Sequence, residues 1–194
     1  MDAQPTAPAP PAPPTAFSGD TIERAQRGDL AAFRELLSAN KSRVFGIALR
    51  FMGRHADAEE VAQDVFLQLH GALAQISSPR HLKHWLLRAV THRCIDRLRS
   101  EGSRPQTVPL DALPESAQAV PSQEGDPLAV AQVQRLLLQL APEARAVVLL
   151  RFQEDLDQSD IATVLEMPLN TVKSHLRRSL EWLRAQVAGG NHGY

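Results

Sequence analysis

Apolar positions recur along this chain at the spacing of one helical face and nowhere alternate strictly in the manner of a strand. Phe33, Leu36 and Leu37 mark one segment. Val44, Phe45, Ile47, Ala48, Leu49 and Phe51 mark a second, and Ala58, Val61, Ala62, Val65, Phe66 and Leu69 a third, with Gly53 and the His55-Ala56-Asp57 step as punctuation. The turn signal Ser77-Ser78-Pro79 opens a fourth helix over about residues 80–99, whose inward stripe is Leu87, Val90, Cys94 and Leu98. Apolar rhythm stops at 101–127, a stretch with five prolines, the acidic residues Asp111, Glu115, Glu124 and Asp126, and Arg104 as its one cation. It resumes from Leu128 to Val187.

The pattern predicts an all-α fold of two small helical domains, 20–100 and 128–187, joined by a flexible acidic linker, 101–127, that leaves them mechanically independent. Residues 1–19, rich in proline and alanine and almost uncharged, read as a disordered tail, and 188–194 as a second tail.

Asp157 to His175 has the order of a helix-turn-helix. Asp157 is placed to cap a helix and Asp160 stands where a capping box wants its carboxylate, while Ile161, Ala162 and Leu165 supply the apolar face. Glu166-Met167-Pro168 breaks that helix, because proline pushes its predecessor out of helical space yet sits comfortably at a helix start. A second helix begins near Leu169, packing through Val172, Leu176 and Leu180. Thr171, Lys173, Ser174, Arg177 and Arg178 are left on its other sides as donors for phosphates and base edges.

Net charge changes the picture only when it is located. The chain sums to −1, yet Arg80, Lys83, Arg88, Arg93, Arg97, Arg99 and Arg104 face only Asp96 and Glu101 in their stretch, a footprint for a polyanion. At 100° per residue, Trp85, Arg88, His92, Asp96 and Arg99 share a face opposite the apolar stripe. An aromatic beside cations suits an opened strand, whose bases stack on the ring while cations track the backbone; the plainer reading folds Trp85 into the core. Asp57, Glu59, Glu60 and Asp64 make an acidic helix surface, either simply solvated or fit to dock a basic partner.

A single cysteine, Cys94, rules out an internal disulfide framework and suits a reducing compartment. No run of about eighteen apolar residues is present to span a membrane, and the N-terminus lacks the layout of a signal peptide. A cytoplasmic protein is expected.

These motifs together resemble those of an extracytoplasmic-function sigma factor of the sigma-70 family. DAEEVAQDVFLQL (57–69) is similar to the family's polymerase-clamp helix, HWLLRAVTHRCIDRLRS (84–100) to its promoter-melting and −10 helix, and LDQSDIATVLEMPLNTVKSHLRRSL (156–180) to its −35 helix-turn-helix. The resemblance implies that Asp57, Glu59, Glu60, Gln63 and Asp64 meet the clamp of core RNA polymerase. It implies that Trp85, Arg88, His92, Arg97 and Arg99 act at the −10 element, and Thr171, Lys173, Ser174, Arg177 and Arg178 at the −35 element of promoter DNA. It also implies an anti-sigma partner, no cofactor, no metal and no catalysis. Glu166 replaces the family's usual glycine in the turn, His92 stands where asparagine is common, and Ser77–His81 departs from the glycine-bearing loop that reads a flipped base. About 27 linker residues span up to about 85 Å when extended, and sites two helical turns apart on DNA lie about 70 Å apart.

Two other readings are distinguishable. A stand-alone regulator fits NTVKSHLRR (170–178), which also resembles response-regulator recognition helices, but the α/β pattern of a receiver domain is absent. A metal-dependent enzyme would draw ligands from His81, His84, His92 and Cys94; Cys94, however, lies on the apolar stripe opposite His92, and no paired carboxylates or phosphate-cradling glycine loop accompany them.

Overall fold

The computed structural model describes residues 19–101 and 127–190. The terminal segments before residue 19 and after 190, and residues 102–126 of the expected linker, lie outside the described residues. The helices are α1 (Gly19–Gln26), α2 (Leu30–Met52), α3 (His55–Ala72), α4 (Pro79–Glu101), α5 (Pro127–Gln139), α6 (Pro142–Phe152), α7 (Gln158–Leu165) and α8 (Leu169–Gly190), with a 3-10 turn at Leu73–Gln75. No strand occurs among the described residues.

The segments around Phe33 and around Val44 belong to one continuous helix, α2, rather than two. The polar run Asn40-Lys41-Ser42 between them contains neither glycine nor proline. Asn40 is fully buried, and its amide donates to the Leu36 carbonyl one turn back at 2.8 Å, so the polar side chain is satisfied inside the helix. The start of α2 is fixed by Asp29, whose carboxylate accepts from the amides of Ala31 (2.9 Å) and Ala32 (3.1 Å) and pairs with Arg24 at 2.6 Å. The Ala32 amide, then Arg24, hold this carboxyl below its ordinary range. Its end is fixed by Gly53 at φ 74°, the left-handed position of a helix C-cap. A Cβ there would also lie 2.8 Å from a terminal methyl of Leu138 on α5, which would have to shift to make room for it.

α1 to α4 enclose a first core of Leu36, Val44, Ile47, Phe51, Val61, Val65, Leu69, Leu82, Leu86 and Leu87, each exposed by 1% or less. Each such side chain contributes about 1.5–3 kcal/mol of burial free energy. α6, α7 and α8 build a second around Val147, Leu150, Ile161, Val164 and Val172.

The two domains pack on one another in this structure: α5 and α6 lie on α2, and α6 and α7 on α4, so the two cores run together. Arg145 of α6 is the buried link. Its guanidinium donates to the carbonyls of Phe51, at the end of α2, and of Leu138 (2.6 Å) and Leu140 (3.1 Å), at the end of α5. One cation thus satisfies orphan carbonyls at two helix C-termini, where positive charge is favoured. Burial pulls its pKa down to about 10, which still leaves it charged at neutral pH. Glu154, after α6, reaches into the first domain between Arg43 (3.2 Å) and Lys83 (4.0 Å); burial pushes its carboxyl up while those cations pull it back.

Candidate nucleic-acid interface

α4 presents the expected two faces. Leu87, Val90 and Cys94 are fully buried and Leu98 half-buried; burial pushes the Cys94 thiol up to about 12, so it stays neutral and inert at physiological pH. Opposite, Trp85, Arg88, His92 and Asp96 line an open groove of about 290 Å³, joined by Arg93 and by Gln68 of α3. Trp85 is half-buried: its ring packs on the edge of the core and also walls the groove, so the two readings of this residue meet in one position. Ser78 caps α4 by accepting from the His81 amide at 3.1 Å, and the His81 imidazole accepts in return from the Ser77 amide at 3.2 Å. The arrangement is similar to a capping box, with histidine in the place of glutamate and its bond made to the amide one residue before the cap.

The cations of this helix are all engaged. Arg93 pairs with Asp64, and Arg97 with Asp57 (3.0 Å) and Glu60 (2.7 Å), so these two fasten α4 to α3. Arg88 pairs with Glu166 at 2.9 Å and donates to the Thr163 carbonyl at 3.2 Å; Arg99 pairs with Glu143 at 2.5 Å and Arg80 with Asp160 at 3.8 Å. Burial works against the Glu143 charge, but its helix-start amide and Arg99 prevail and hold the carboxyl below its ordinary value.

The acidic surface of α3 is correspondingly smaller than its sequence implies. Asp57 is buried and bridges Arg54 (3.4 Å) and Arg97; Glu60 and Asp64 are committed to α4. Glu59, near His55 at 3.5 Å, and Gln63 stand exposed. Leu67, 72% exposed, extends this face and would be found in sequence only as an apolar residue out of phase with the buried stripe.

In the helix-turn-helix, Asp157 accepts from the Asp160 amide at 2.7 Å and from the Ser159 hydroxyl at 2.7 Å, contacts that hold its carboxyl below the usual range. The Asp160 carboxylate turns instead to Arg80, so the capping box is one-sided. Glu166 occupies the turn at φ 53°, ψ 39°, a left-handed conformation that glycine takes without cost and that non-glycine residues rarely adopt. On α8, Val172 and Leu176 are buried and Leu180 half-buried, while Lys173, Arg177 and Arg178 are exposed and Thr171 and Ser174 partly so. Arg177 pairs along the helix with Glu181 at 3.0 Å; neither Lys173 nor Arg178 has an ion pair among the described residues.

The four candidate metal ligands do not converge: Cys94 is in the core, His81 is tied to the Ser77 turn and His92 lines the groove. No helix among the described residues is long and apolar enough to cross a membrane.

Two helical domains with a basic, tryptophan-bearing helix in the first and a helix-turn-helix in the second define a two-domain DNA-binding factor. Residues 36–104 match the Sigma-70 region 2 family and residues 131–183 the Sigma-70 region 4 family. The chain is 28% identical to the ECF RNA polymerase sigma factor SigW of Bacillus subtilis, over 86% of this chain and 94% of that protein. It is 30% identical to the RNA polymerase sigma-H factor of Pseudomonas aeruginosa, over 82% and 88%. A solved structure, the sigma factor RpoE in complex with the anti-sigma factor NepR from Bartonella quintana, shares the fold with a TM-score of 0.63 at 18% identity, covering 80% of this chain and 96% of that one. The chain belongs to the sigma-70 family as an extracytoplasmic-function RNA polymerase sigma factor. It is a transcription initiation factor and not an enzyme: it binds core RNA polymerase and promoter DNA.

Proposed function

We propose that α4 engages the opened −10 strand through the groove, with bases against Trp85 and His92 and the backbone along Arg88, Arg97 and Arg99, while α8 reads −35 duplex. The observation that carries this reading is the groove itself: Trp85 and His92 with Arg88 and Arg93 beside them, on the open face of a helix whose other face is core. Lys173 and Arg178, exposed beside Thr171 and Ser174 and Arg177, give α8 the phosphate and base-edge donors that duplex reading needs. Glu59 and Gln63, with Asp57, Glu60 and Asp64 behind them, meet the polymerase clamp. An anti-sigma partner is supported by the fold shared with RpoE in its complex with NepR, and work with RNA polymerase sets the site of action in the cytoplasm.

Trp85→Ala tests the −10 assignment. Because the ring is half-exposed, the substitution should cost well under the about 3–5 kcal/mol typical of a core tryptophan, while open-complex formation followed by permanganate footprinting should slow by about tenfold or more, at about 1–3 kcal/mol per stacked base. A large fall in melting temperature with normal strand opening would return Trp85 to the core.

A further inference from the structure

α3 and α4 run antiparallel, and two ion pairs fix their register. Glu60 meets Arg97 and Asp64 meets Arg93, so four residues forward on one helix match four residues back on the other. The next step along this row brings Gln68 opposite Ala89, and both line the groove. The row of charges stops there. Gln68 is exposed and makes no hydrogen bond or ion pair among the described residues. We propose that Gln68 is a specificity-determining residue of the single-strand site: it reads the edge of one base stacked on Trp85, and the base it selects is adenine.

Ala89 makes the space. It lies one turn after Trp85 and one turn before His92, which stand about 10 Å apart along the helix axis, and its methyl is the floor between them in the groove of about 290 Å³. A base stacked on the indole over that floor turns its edge to α3, where Gln68 stands; stacking combined with edge reading is how an unpaired base is told from its alternatives. The carboxamide has two N–H donors and a carbonyl acceptor and carries no charge. It adds nothing to the tracking of phosphates and discriminates only through hydrogen bonds. A glutamine meets adenine bidentately, accepting from the exocyclic amine and donating to a ring nitrogen. Adenine presents that pair on two edges, cytosine on one, guanine only beside its own sugar and thymine nowhere. Gln63, on the face assigned to the polymerase, lies five residues from Gln68 and therefore about 140° around α3, so one helix can serve both partners.

The proposal rests on the role given to the α4 groove, and the test distinguishes the two. Holoenzyme reconstituted from the full chain and core polymerase is offered fork-junction DNA, random in both its duplex and its single-stranded overhang. The bound molecules are sequenced against those retained by core enzyme alone. The unsubstituted chain should enrich adenine at one overhang position, at a fixed distance from the upstream element. Gln68→Ala should lower that preference about tenfold and leave the other positions as they were. Gln68→Arg should move it to guanine, the base that arginine meets bidentately.

If Gln68→Ala keeps every base preference, Gln68 is a bystander and the proposal is overturned. An even loss of retention with the preferences intact gives Gln68 to polymerase docking or packing, which overturns it equally. A position that depends on Gln68 but selects another base overturns the choice of adenine. Trp85→Ala tests the groove separately: weakened strand retention there, with no effect of Gln68→Ala, leaves the groove standing without its reader, and no effect of either variant removes both.

Discussion

Arg145→Met should lower the melting temperature by about 10 °C, the largest stability loss expected of any single substitution at the domain junction. The change leaves the carbonyls of Phe51, Leu138 and Leu140 without their donor, and each unsatisfied buried group costs about 1–3 kcal/mol. Relief from burying a guanidinium offsets part of this, leaving about 3–5 kcal/mol, at about 2–4 °C per kcal/mol for a chain of this size. Arg145→Lys should recover little, since a single ammonium cannot fork to carbonyls on two helices. Thermal unfolding followed by circular dichroism reads both variants; a melting curve for Arg145→Met that overlays the unsubstituted chain would show that the carbonyls find other partners.

Reversing Glu59 and changing Gln63 to lysine should weaken binding to core polymerase by about tenfold or more while leaving helical content unchanged, because these two side chains stand on the open face of α3. The residues that sequence charge alone would single out, Glu60 and Asp64, are poorer probes. Lysines there would face Arg97 and Arg93 across the α3–α4 seam, so lost polymerase binding would be confounded with lost packing. Size-exclusion co-elution of Glu59→Lys, Gln63→Lys with core enzyme decides the matter: full retention would move the clamp contact to another surface.

The periodic elements are legible in the sequence because their signals are local. Asp157, Pro168 and the Val172–Leu176 stripe place α7 and α8 within a residue or so of where they lie, and Ser77-Ser78-Pro79 places the start of α4. The apolar pattern divides α2 in two because Asn40 looks like a break until its amide is seen bonding to Leu36. α1 does not separate from α2 by periodicity, its short span offering only Ile22 and Ala25 as apolar core residues.

The site is legible as a face but not as a set of partners. Trp85, Arg88, His92 and Asp96 share a groove as their spacing indicates. That Arg88 and Arg99 meet Glu166 and Glu143 involves residues 78 and 44 positions further along the chain, and no periodicity encodes such a pairing. The same holds for Arg145, a cation inside an apolar helix whose three acceptors lie at the ends of two others. Glu166 alone leaves a trace, as a side chain where the turn favours glycine.

Run-off transcription bears on the whole assignment at once. Core RNA polymerase, supplied with this chain and a pool of promoter fragments from the source genome, should yield discrete transcripts that need the chain, share an upstream element at a fixed spacing, and fade when Trp85 or Arg178 is replaced by alanine. Transcripts indistinguishable from those of core enzyme alone, with the chain shown to be folded and bound to the polymerase, would contradict it.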